Sequence, residues 1–275
     1  MSRIPNVLSV AGSDPSGGAG VQADLKTFSA FGCYGMAAIT ALTAQNTVGV
    51  RAVHVPPVDF LVTQLDAIFE DIAVDAVKIG MLATGAIVSA VADRLAHHGA
   101  RNIVLDPVLV ATSGDSLGAS DVVDALITRL MPLASVATPN IPEAARLVGR
   151  DVAAEPDDMA RAGAELLARG ARAVLVKGGH GDGAEAVDVL VTAAGAEHFT
   201  APRIATRNTH GTGCSLSSAI AAGLARGAAL PQAVIEAKAW LTDALRAADG
   251  LSVGRGHGPL DHFHALRRYT SSGGA

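Results

Sequence analysis

The sequence predicts an α/β fold built on a mainly parallel, doubly wound sheet. Short apolar runs of about four or five residues alternate with helical segments of about a dozen. The apolar fraction is 49% and the aromatic fraction only 3%, which is typical of Val-rich strands packed against Ala-rich helices. Near the C-terminal third, two runs are separated by a turn too short for a crossover helix, so they predict an antiparallel hairpin.

The elements follow this alternation in chain order. Strands are predicted at 6–10, 36–43, 51–55, 75–79, 102–105, 135–138, 173–176, 188–191 and 198–201. Helices are predicted at 21–31, 58–72, 85–97, 120–131 and 159–169, with another after the turn at 211–213. Because no linker or repeat interrupts the pattern, we expect one domain over 1–269 and a disordered tail over 270–275.

Charge and hydropathy exclude several classes of function. The formal net charge of −5 offers no basic surface for nucleic acid. No apolar run reaches transmembrane length and no signal peptide is evident, so we expect a cytoplasmic protein without membrane contact. Two cysteines, Cys33 and Cys214, are too few for a disulfide framework.

Two glycine-rich stretches are candidate anion sites. The first, 12–20, lacks the Gly-Lys-Ser/Thr ending of a P-loop and does not match a dinucleotide fingerprint. The second, 211–213, begins a helix, where free N–H groups and the helix dipole favour a phosphate. Cys214 follows it directly and would face whatever this turn binds. A glycine-rich loop leading into a core helix is the alternative interpretation.

Polar side chains gather where strands end. In an open parallel sheet, ligands bind beyond the carboxyl ends of the strands. Carboxylates and amides there suit a metal, a lysine suits phosphates, and a Gln amide both donates and accepts hydrogen bonds. Together these strand-end residues predict phosphoryl transfer: Gly12, Gln45, Gly80, Met81, Asp106, Asn140 and Lys177.

Several of these residues have a purely structural alternative. Asn140 with Glu143 three residues later is a capping-box arrangement, although a capping Glu can also face the hydration shell of Mg²⁺. Asp106 and Lys177 would equally serve as ordinary strand ends. For the pair in His262-Phe263-His264 we predict a structural or solvated role, since no further ligand follows at a suitable spacing.

A series of ordered motifs resembles one enzyme family. The motifs are AGSDPSGGAG at 11–20 with Asp24, KIGML at 78–82, DPV at 106–108, TPN at 138–140 with Glu143, KGGH at 177–180 and NTHGTGC at 208–214. Through 236–240 and 262–264 they cover nearly the whole chain. The chain resembles the hydroxymethylpyrimidine/phosphomethylpyrimidine kinases of thiamine biosynthesis, in the ribokinase-like superfamily.

The resemblance implies a ribokinase-like three-layer α/β/α sandwich and phosphorylation with ATP and Mg²⁺. The acceptor would be 4-amino-5-hydroxymethyl-2-methylpyrimidine and then its monophosphate. Carried over by motif, the pyrimidine pocket comprises Gly12, Asp24, Gln45, Met81 and Val108. The nucleotide and its phosphates would meet Asn140, Lys177, Thr209 and Lys238, Mg²⁺ would meet Asp106 and Glu143, and the catalytic set would be Lys177, Gly211, Gly213 and Cys214.

Cys214 is the least usual member of this set. Many sugar kinases of the superfamily carry an Asp base at this position, whereas the pyrimidine kinases resemble this chain in having Cys. A helix N-terminus predicts a thiol pKa lowered by roughly one unit, although a bound γ-phosphate would oppose this. We therefore expect Cys214 to be a conditional base.

Two other functions compete with this interpretation. Pyridoxal/pyridoxine kinase is the nearest, but the two-way amide of Gln45 matches a ring nitrogen beside an amino group, which pyridoxal lacks. A catalytically silent metabolite-binding protein of the same fold is the other. We also expect a homo-oligomer, most simply a dimer.

Overall fold

A single nine-stranded sheet forms the centre of the computed structural model, which describes residues 3–109, 120–179, 181 and 183–271. Its strands in chain order are β1 (Asn6–Ser13), β2 (Tyr34–Asn46), β3 (Gly49–His54), β4 (Ala76–Ile79), β5 (Ile103–Leu105), β6 (Val136–Ala137), β7 (Ala173–Val176), β8 (Glu185–Thr192) and β9 (Gly195–Pro202). In space they lie in the order β3-β2-β1-β4-β5-β6-β7-β8-β9.

The central strands are parallel and both edges are antiparallel. β2, β1, β4, β5, β6 and β7 run in one direction. β3 pairs antiparallel with β2, and β8 and β9 form the antiparallel hairpin that the short turn predicts. The carboxyl ends of six neighbouring strands therefore meet at one edge of the sheet, which is where ligand sites form.

Helices cover both faces of this sheet. They are α1 (Gly20–Ala30), α2 (Val58–Phe69), α3 (Gly85–His97), α4 (Ser120–Ala125), α5 (Ile141–Val148), α6 (Pro156–Ala168), α7 (Thr212–Ala225), α8 (Leu230–Ala247) and α9 (His264–Ser271). One core lies between the sheet and the helices α2 to α6, and a second lies between its other face and α1, α7 and α8. Since β1 sends Leu8 and Val10 to the first core and Val7 to the second, the predicted three-layer sandwich is confirmed.

The boundaries differ from the sequence prediction where polar or cap residues decide them. β2 continues to Asn46 because its polar end pairs with the edge strand β3. The predicted helix 120–131 divides into α4 and a π-helical turn, Leu126–Leu130. α6 begins at Pro156, since proline suits a first helical turn.

The C-terminal part of the chain returns to the N-terminal half. Thr47, in the turn between β2 and β3, accepts a hydrogen bond at its carbonyl oxygen from the His257 N–H at 3.0 Å. The Gly256 N–H donates to Thr47 Oγ1 at 3.2 Å, and a Cβ at Gly256 would lie only 2.0 Å from the Thr47 carbonyl oxygen. This clasp holds the hairpin that carries Gln45.

The helix α9 reaches Ser271 and so includes the first two residues of the segment predicted as a tail, 270–275. The last four, 272–275, lie outside the described residues, so the tail stays a prediction. None of the described helices has the length and apolarity needed to cross a membrane.

Candidate active site

A cavity of about 680 Å³ lies at the carboxyl ends of the parallel strands, beside the first turn of α7. Every predicted site residue except Asp24 and Gly80 contributes to its lining: Gly12, Gln45, Met81, Asp106, Val108, Asn140, Glu143, Lys177, Thr209, Gly211, Gly213, Cys214 and Lys238. A more open groove of about 720 Å³ along 205–208 and 251–256 contains none of them.

The two glycine-rich stretches pack against each other at this cavity. Gly211 has a φ of 79°, and a Cβ there would lie 1.8 Å from the Gly18 carbonyl oxygen. A side chain at Gly211 would therefore force the loop and the turn apart. A Cβ at Gly213 would lie 3.1 Å from Lys177 Nζ, so the first N–H groups of α7 and a lysine ammonium face the same space. That combination suits an anion.

Lys177 and Asp106 form a buried ion pair at the ends of β7 and β5. Lys177 Nζ donates to Asp106 Oδ1 at 2.7 Å, and Thr138 Oγ1 lies 3.3 Å from the same oxygen. Burial alone would raise the pKa of Asp106, but the Lys177 ammonium holds it below its usual range. Burial would likewise lower the pKa of Lys177, and the carboxylates of Asp106 and Glu143 raise it instead. Both groups are charged at neutral pH.

Glu143 has two roles in this structure. Its side chain accepts from the Asn140 N–H at 2.8 Å, and Asn140 Oδ1 accepts from the Glu143 N–H at 2.9 Å, which confirms the capping box. The same carboxyl lines the cavity, where burial raises its pKa to about 7 and the neighbouring charge of Asp106 adds to the rise, while Lys177 opposes it. A cation beside this carboxyl would displace a proton.

The Cys214 thiol does not have the lowered pKa that the helix N-terminus predicts. Burial raises the pKa of Cys214 above its usual value, and the charges of Asp106 and Asp24 act in the same direction. The Lys78 ammonium and a hydrogen bond from the Gly20 backbone oppose the rise without cancelling it. That prediction was wrong because desolvation of the thiolate outweighs the helix dipole.

Asp24 lies beneath the cavity instead of lining it. It is completely buried and accepts from Lys78 Nζ at 2.9 and 3.0 Å. Two hydroxyls complete its coordination, Ser9 Oγ at 2.6 Å and Ser218 Oγ at 2.7 Å. Asp24 is therefore the counter-ion of a buried lysine, and the expectation that it lines the pyrimidine pocket does not match its position.

Lys78 is a fully buried residue beside the cavity that the sequence analysis missed. It lies in the otherwise apolar strand β4, and a Cβ at Gly80 would come within 2.9 Å of Lys78 Nζ. A lysine inside a fully buried apolar strand was the available signal, because such a group requires a buried partner.

Lys238 is also tied to a carboxylate. Its Nζ donates to Asp188 Oδ2 at 2.6 Å, and Asp188 Oδ1 accepts from the Gly178 N–H at 2.9 Å. The pair thus fixes the backbone immediately after Lys177. Asp188 lies at a strand position and carried no motif signal; His180, the last residue of the KGGH motif, lies outside the described residues.

A second missed pair, Asp14 and His210, also lines the cavity. His210 Nε2 is 2.8 Å from Asp14 Oδ2, and both residues are buried. The Nε2 atom of Gln45 lies 3.5 Å from His210 Nε2. Each of these side chains lines the cavity. The glycine-rich loop 12–20 and the segment leading into the turn 211–213 therefore meet through a side-chain pair as well as through the close backbone approach of Gly18 and Gly211.

The two C-terminal histidines are structural, as predicted. His262 Nε2 is 3.0 Å from Ser215 Oγ, and His264 Nδ1 is 3.1 Å from the Asp261 carbonyl oxygen. Burial lowers the pKa of His262 to about 4, so the ring is neutral at pH 7. Within the described ranges, no group of three or more His, Cys, Asp or Glu side chains is placed to hold a metal.

Comparison with known proteins identifies the family of this chain. The family model described as phosphomethylpyrimidine kinase matches residues 14–261. The chain belongs to this family. A hydroxymethylpyrimidine/phosphomethylpyrimidine kinase of Salmonella typhimurium is 53% identical over 265 residues, which cover 96% of this chain and 99% of that protein.

Solved structures of related kinases share the fold. A Bacillus subtilis pyridoxal kinase in complex with ADP has a TM-score of 0.88 at 38% identity, covering 97% of this chain and all of that one. A phosphomethylpyrimidine kinase of Clostridium difficile has a TM-score of 0.78 at 44% identity, covering 88% of this chain and all of that one. The predicted fold and enzyme class are confirmed: this phosphomethylpyrimidine kinase family member is a ribokinase-like kinase.

Proposed function

We propose that this kinase phosphorylates 4-amino-5-hydroxymethyl-2-methylpyrimidine and then phosphorylates the monophosphate to the pyrophosphate, with ATP as donor, in thiamine biosynthesis. The observation that carries the proposal is one cavity that brings together a carboxamide and an anion site. Gln45, Lys177 and the 211–214 turn all line it. The relative that is 53% identical bears the name of this activity.

The part of the cavity proposed for the acceptor is mostly apolar and contains one amide side chain that can recognise the ring edge. Met81 and Val108 supply apolar surface, and Gly12 leaves room, since a Cβ there would lie 3.3 Å from the Met81 sulfur. Gln45 then reads the ring edge through its two-way amide. Asp24 acts from beneath this pocket, as the counter-ion of Lys78.

The phosphate side neutralises and positions the transferred group. The Lys177 ammonium and the N–H groups of the 211–214 turn would hold the oxygens on which charge develops, and most of the rate comes from such positioning. Asn140 and Thr209 also line the cavity and would meet the nucleotide. Lys238 contributes through Asp188, which holds the backbone beside Lys177.

The carboxylates of Asp106 and Glu143 fit Mg²⁺. Mg²⁺ commonly takes one or two protein carboxylates, with waters and substrate phosphates completing its shell. Glu143, with a pKa of about 7, holds its proton where a cation would compete for the same oxygens. When bound, Mg²⁺ would supply Lewis-acid neutralisation of the phosphate charge.

A panel of acceptors separates this function from its competitors. ADP release should be highest with the aminopyrimidine and its monophosphate and much lower with pyridoxal and pyridoxine, because only the pyrimidine presents an amino group beside a ring nitrogen. Faster turnover of the B6 vitamers would favour a pyridoxal kinase, the activity named for the Bacillus subtilis structure. No ADP release with any acceptor would indicate a silent binding protein.

We extend the proposal to the organisation of the protein. One domain over 1–269 is supported by the continuous sheet, and a cytoplasmic location agrees with the absence of membrane-spanning helices from the described chain. A homodimer is supported by the position of β3 at the edge of the sheet and by exposed apolar side chains on the β2–β3 hairpin, namely Leu42, Val48 and Val53. Light scattering of wild type and Val53→Lys tests this.

A further inference from the structure

We propose that the Asp14–His210 pair positions the Gln45 carboxamide and thereby selects the acceptor. The pair favours the amide orientation with its oxygen toward His210 and its nitrogen toward Thr43. This orientation accepts a ring whose amino group adjoins the carbon that bears the reacting hydroxymethyl group. The inference rests on the proposed function and adds two specificity-determining positions to it.

The first step is to decide which ring nitrogen of His210 carries a proton. Asp14 receives four donors: the Ser16 N–H at 2.9 Å and the Ser16 hydroxyl at 2.7 Å on Oδ1, and the Ala19 N–H at 2.9 Å with His210 Nε2 at 2.8 Å on Oδ2. Burial alone would raise the pKa of Asp14, but the hydrogen bonds from His210 and Ser16 hold it below its usual value. An ionised carboxylate only accepts, so His210 Nε2 carries the proton that it donates to Asp14.

The second step concerns the other neighbour of the amide. Thr43 Oγ1 lies 2.9 Å from the Ser13 carbonyl oxygen and 3.2 Å from Gln45 Oε1. A hydroxyl has one proton, and a carbonyl oxygen can only accept. The shorter contact takes that proton, so Thr43 presents lone pairs toward the amide of Gln45.

The amide orientation follows from these two protons. With Oε1 toward Thr43 and Nε2 toward His210, lone pairs face lone pairs at one end. At the other end the amide N–H meets a protonated ring nitrogen that has no lone pair to accept it. A half-turn of the carboxamide removes both conflicts: the NH₂ group donates to Thr43 Oγ1, and Oε1 lies beside His210 Nε2, whose single proton stays directed at Asp14. Oxygen and nitrogen positions in an amide are assigned by such networks. The amide oxygen and one N–H remain for the ligand.

The third step connects this orientation to the direction of the substrate. In 4-amino-5-hydroxymethyl-2-methylpyrimidine the amino group lies next to the hydroxymethyl carbon, and ring nitrogen N3 lies on its far side. An amide oxygen on the His210 side binds the amino group there, which directs the hydroxymethyl group toward His210. His210 directly precedes Gly211, the start of the anion-binding turn. The opposite orientation would direct the hydroxymethyl group toward Thr43, away from the transferred phosphate.

The rigidity of the pair supports a positioning role. A Cβ at Gly18 would lie 2.4 Å from His210 Cδ2, so the loop is packed onto the imidazole ring. The backbone N–H of His210 donates to the Gly258 carbonyl oxygen at 3.0 Å. The ring is therefore fixed from the backbone side and from Asp14, and it cannot turn to follow a rotating amide.

The test pairs a variant with a substrate analogue. His210→Phe keeps a ring against Gly18 but removes the N–H, and 5-hydroxymethyl-2-methylpyrimidine lacks the amino group. For the parent substrate, His210→Phe should lower kcat/KM at least about tenfold through a raised KM. For the analogue it should change kcat/KM less than about twofold, and the KM for ATP should stay unchanged. His257→Phe, on an exposed histidine of the neighbouring loop, is the matched control and should affect neither.

Equal losses with both substrates would show that His210 is merely structural and would overturn the inference. If His210→Phe does not fold by circular dichroism, Asp14→Asn decides the question. Its side-chain nitrogen can donate to His210 Nε2 and so remove the proton that orients the amide, with the same selective loss expected. A wild-type enzyme inactive on the parent pyrimidine would refute the proposed function itself, whereas unselective variants of an active enzyme refute only this inference.

Discussion

Two buried lysine–aspartate pairs lie close together in this enzyme, and they differ in how completely they are satisfied. Lys78 binds both oxygens of Asp24, two serine hydroxyls complete the carboxylate, and neither side chain is exposed. Lys177 binds Oδ1 of Asp106, and its side chain remains 9% exposed at the cavity. The first pair has its partners within the protein, so it stabilises the fold. The second retains access to the cavity, so it is available for a substrate.

The largest expected effect comes from breaking the Lys78–Asp24 pair, whose hydrogen-bond partners all lie within the protein. Lys78→Met leaves the Asp24 carboxylate buried without its cation, which should lower the free energy of unfolding by about 3–5 kcal/mol. Urea unfolding measures this. Adding Asp24→Leu removes the stranded charge and should restore most of the loss. A single variant no less stable than the double variant would contradict the assignment of this pair to the fold.

The pair at the cavity should respond in the opposite manner. Lys177→Met removes a cation from the phosphate side and should lower kcat about 10²–10³-fold. The free energy of unfolding should fall by less than in Lys78→Met, since Asp106 lines the cavity and keeps its contact with the Thr138 hydroxyl. Steady-state kinetics with the aminopyrimidine and urea unfolding give the two numbers. If Lys177→Met instead lost much stability and little kcat, the Lys177–Asp106 pair would serve mainly to stabilise the fold, as the Lys78–Asp24 pair does.

His262 extends the comparison to a buried group that titrates. Its pKa is about 4 in the folded protein against an ordinary value of 6.5, so below pH 6.5 the unfolded chain binds a proton that the folded chain does not. The contribution of His262 to stability should therefore fall as the pH decreases from 6.5 to 4, by about 3 kcal/mol in all. Because Glu143, whose pKa is raised to about 7, contributes a slope of opposite sign over much of this range, the quantity to measure by urea unfolding is the difference in unfolding free energy between wild type and His262→Leu at several pH values. His257→Leu should show no such pH-dependent difference from wild type.

Cys214 is influenced by the charges of both pairs and should show the smallest effect. Lys78 lowers its pKa while Asp106 raises it, and the thiol is neutral at pH 7. Cys214→Ala should reduce phosphorylation of the alcohol about tenfold and phosphorylation of the monophosphate less than about threefold, because an anionic acceptor needs little deprotonation. Separate assays of each step measure the two factors. Equal losses of activity in the two phosphorylation steps would show that Cys214 is not a base and only forms part of the anion hole.

The sequence predicted the residues that line the cavity better than the buried side-chain pairs that support them. Gln45, Asp106, Asn140 and Lys177 follow directly from the rule that parallel strands end at the ligand edge. The pairs of Asp14 with His210 and of Lys78 with Asp24 did not, since their members are 196 and 54 residues apart.

Two further misses have physical causes of the same kind. Asp24 carries a family motif, yet only the packing of α1 shows that its side chain faces a buried strand and not the cavity. The direction of the Cys214 pKa depends on burial, which the local sequence does not reveal; the helix N-terminus that it does reveal is the weaker effect.

The clasp between Thr47 and the loop at 256–257 has a consequence for biosynthesis. The strand that carries Gln45 is made early, but the bond from Gly256 that fixes its turn spans 209 residues. At ordinary rates of translation the ribosome needs on the order of 10 to 40 s to make that length of chain. Contacts this distant in sequence also form slowly during folding. The acceptor-reading hairpin therefore gains its final support only when almost the whole polypeptide has been made.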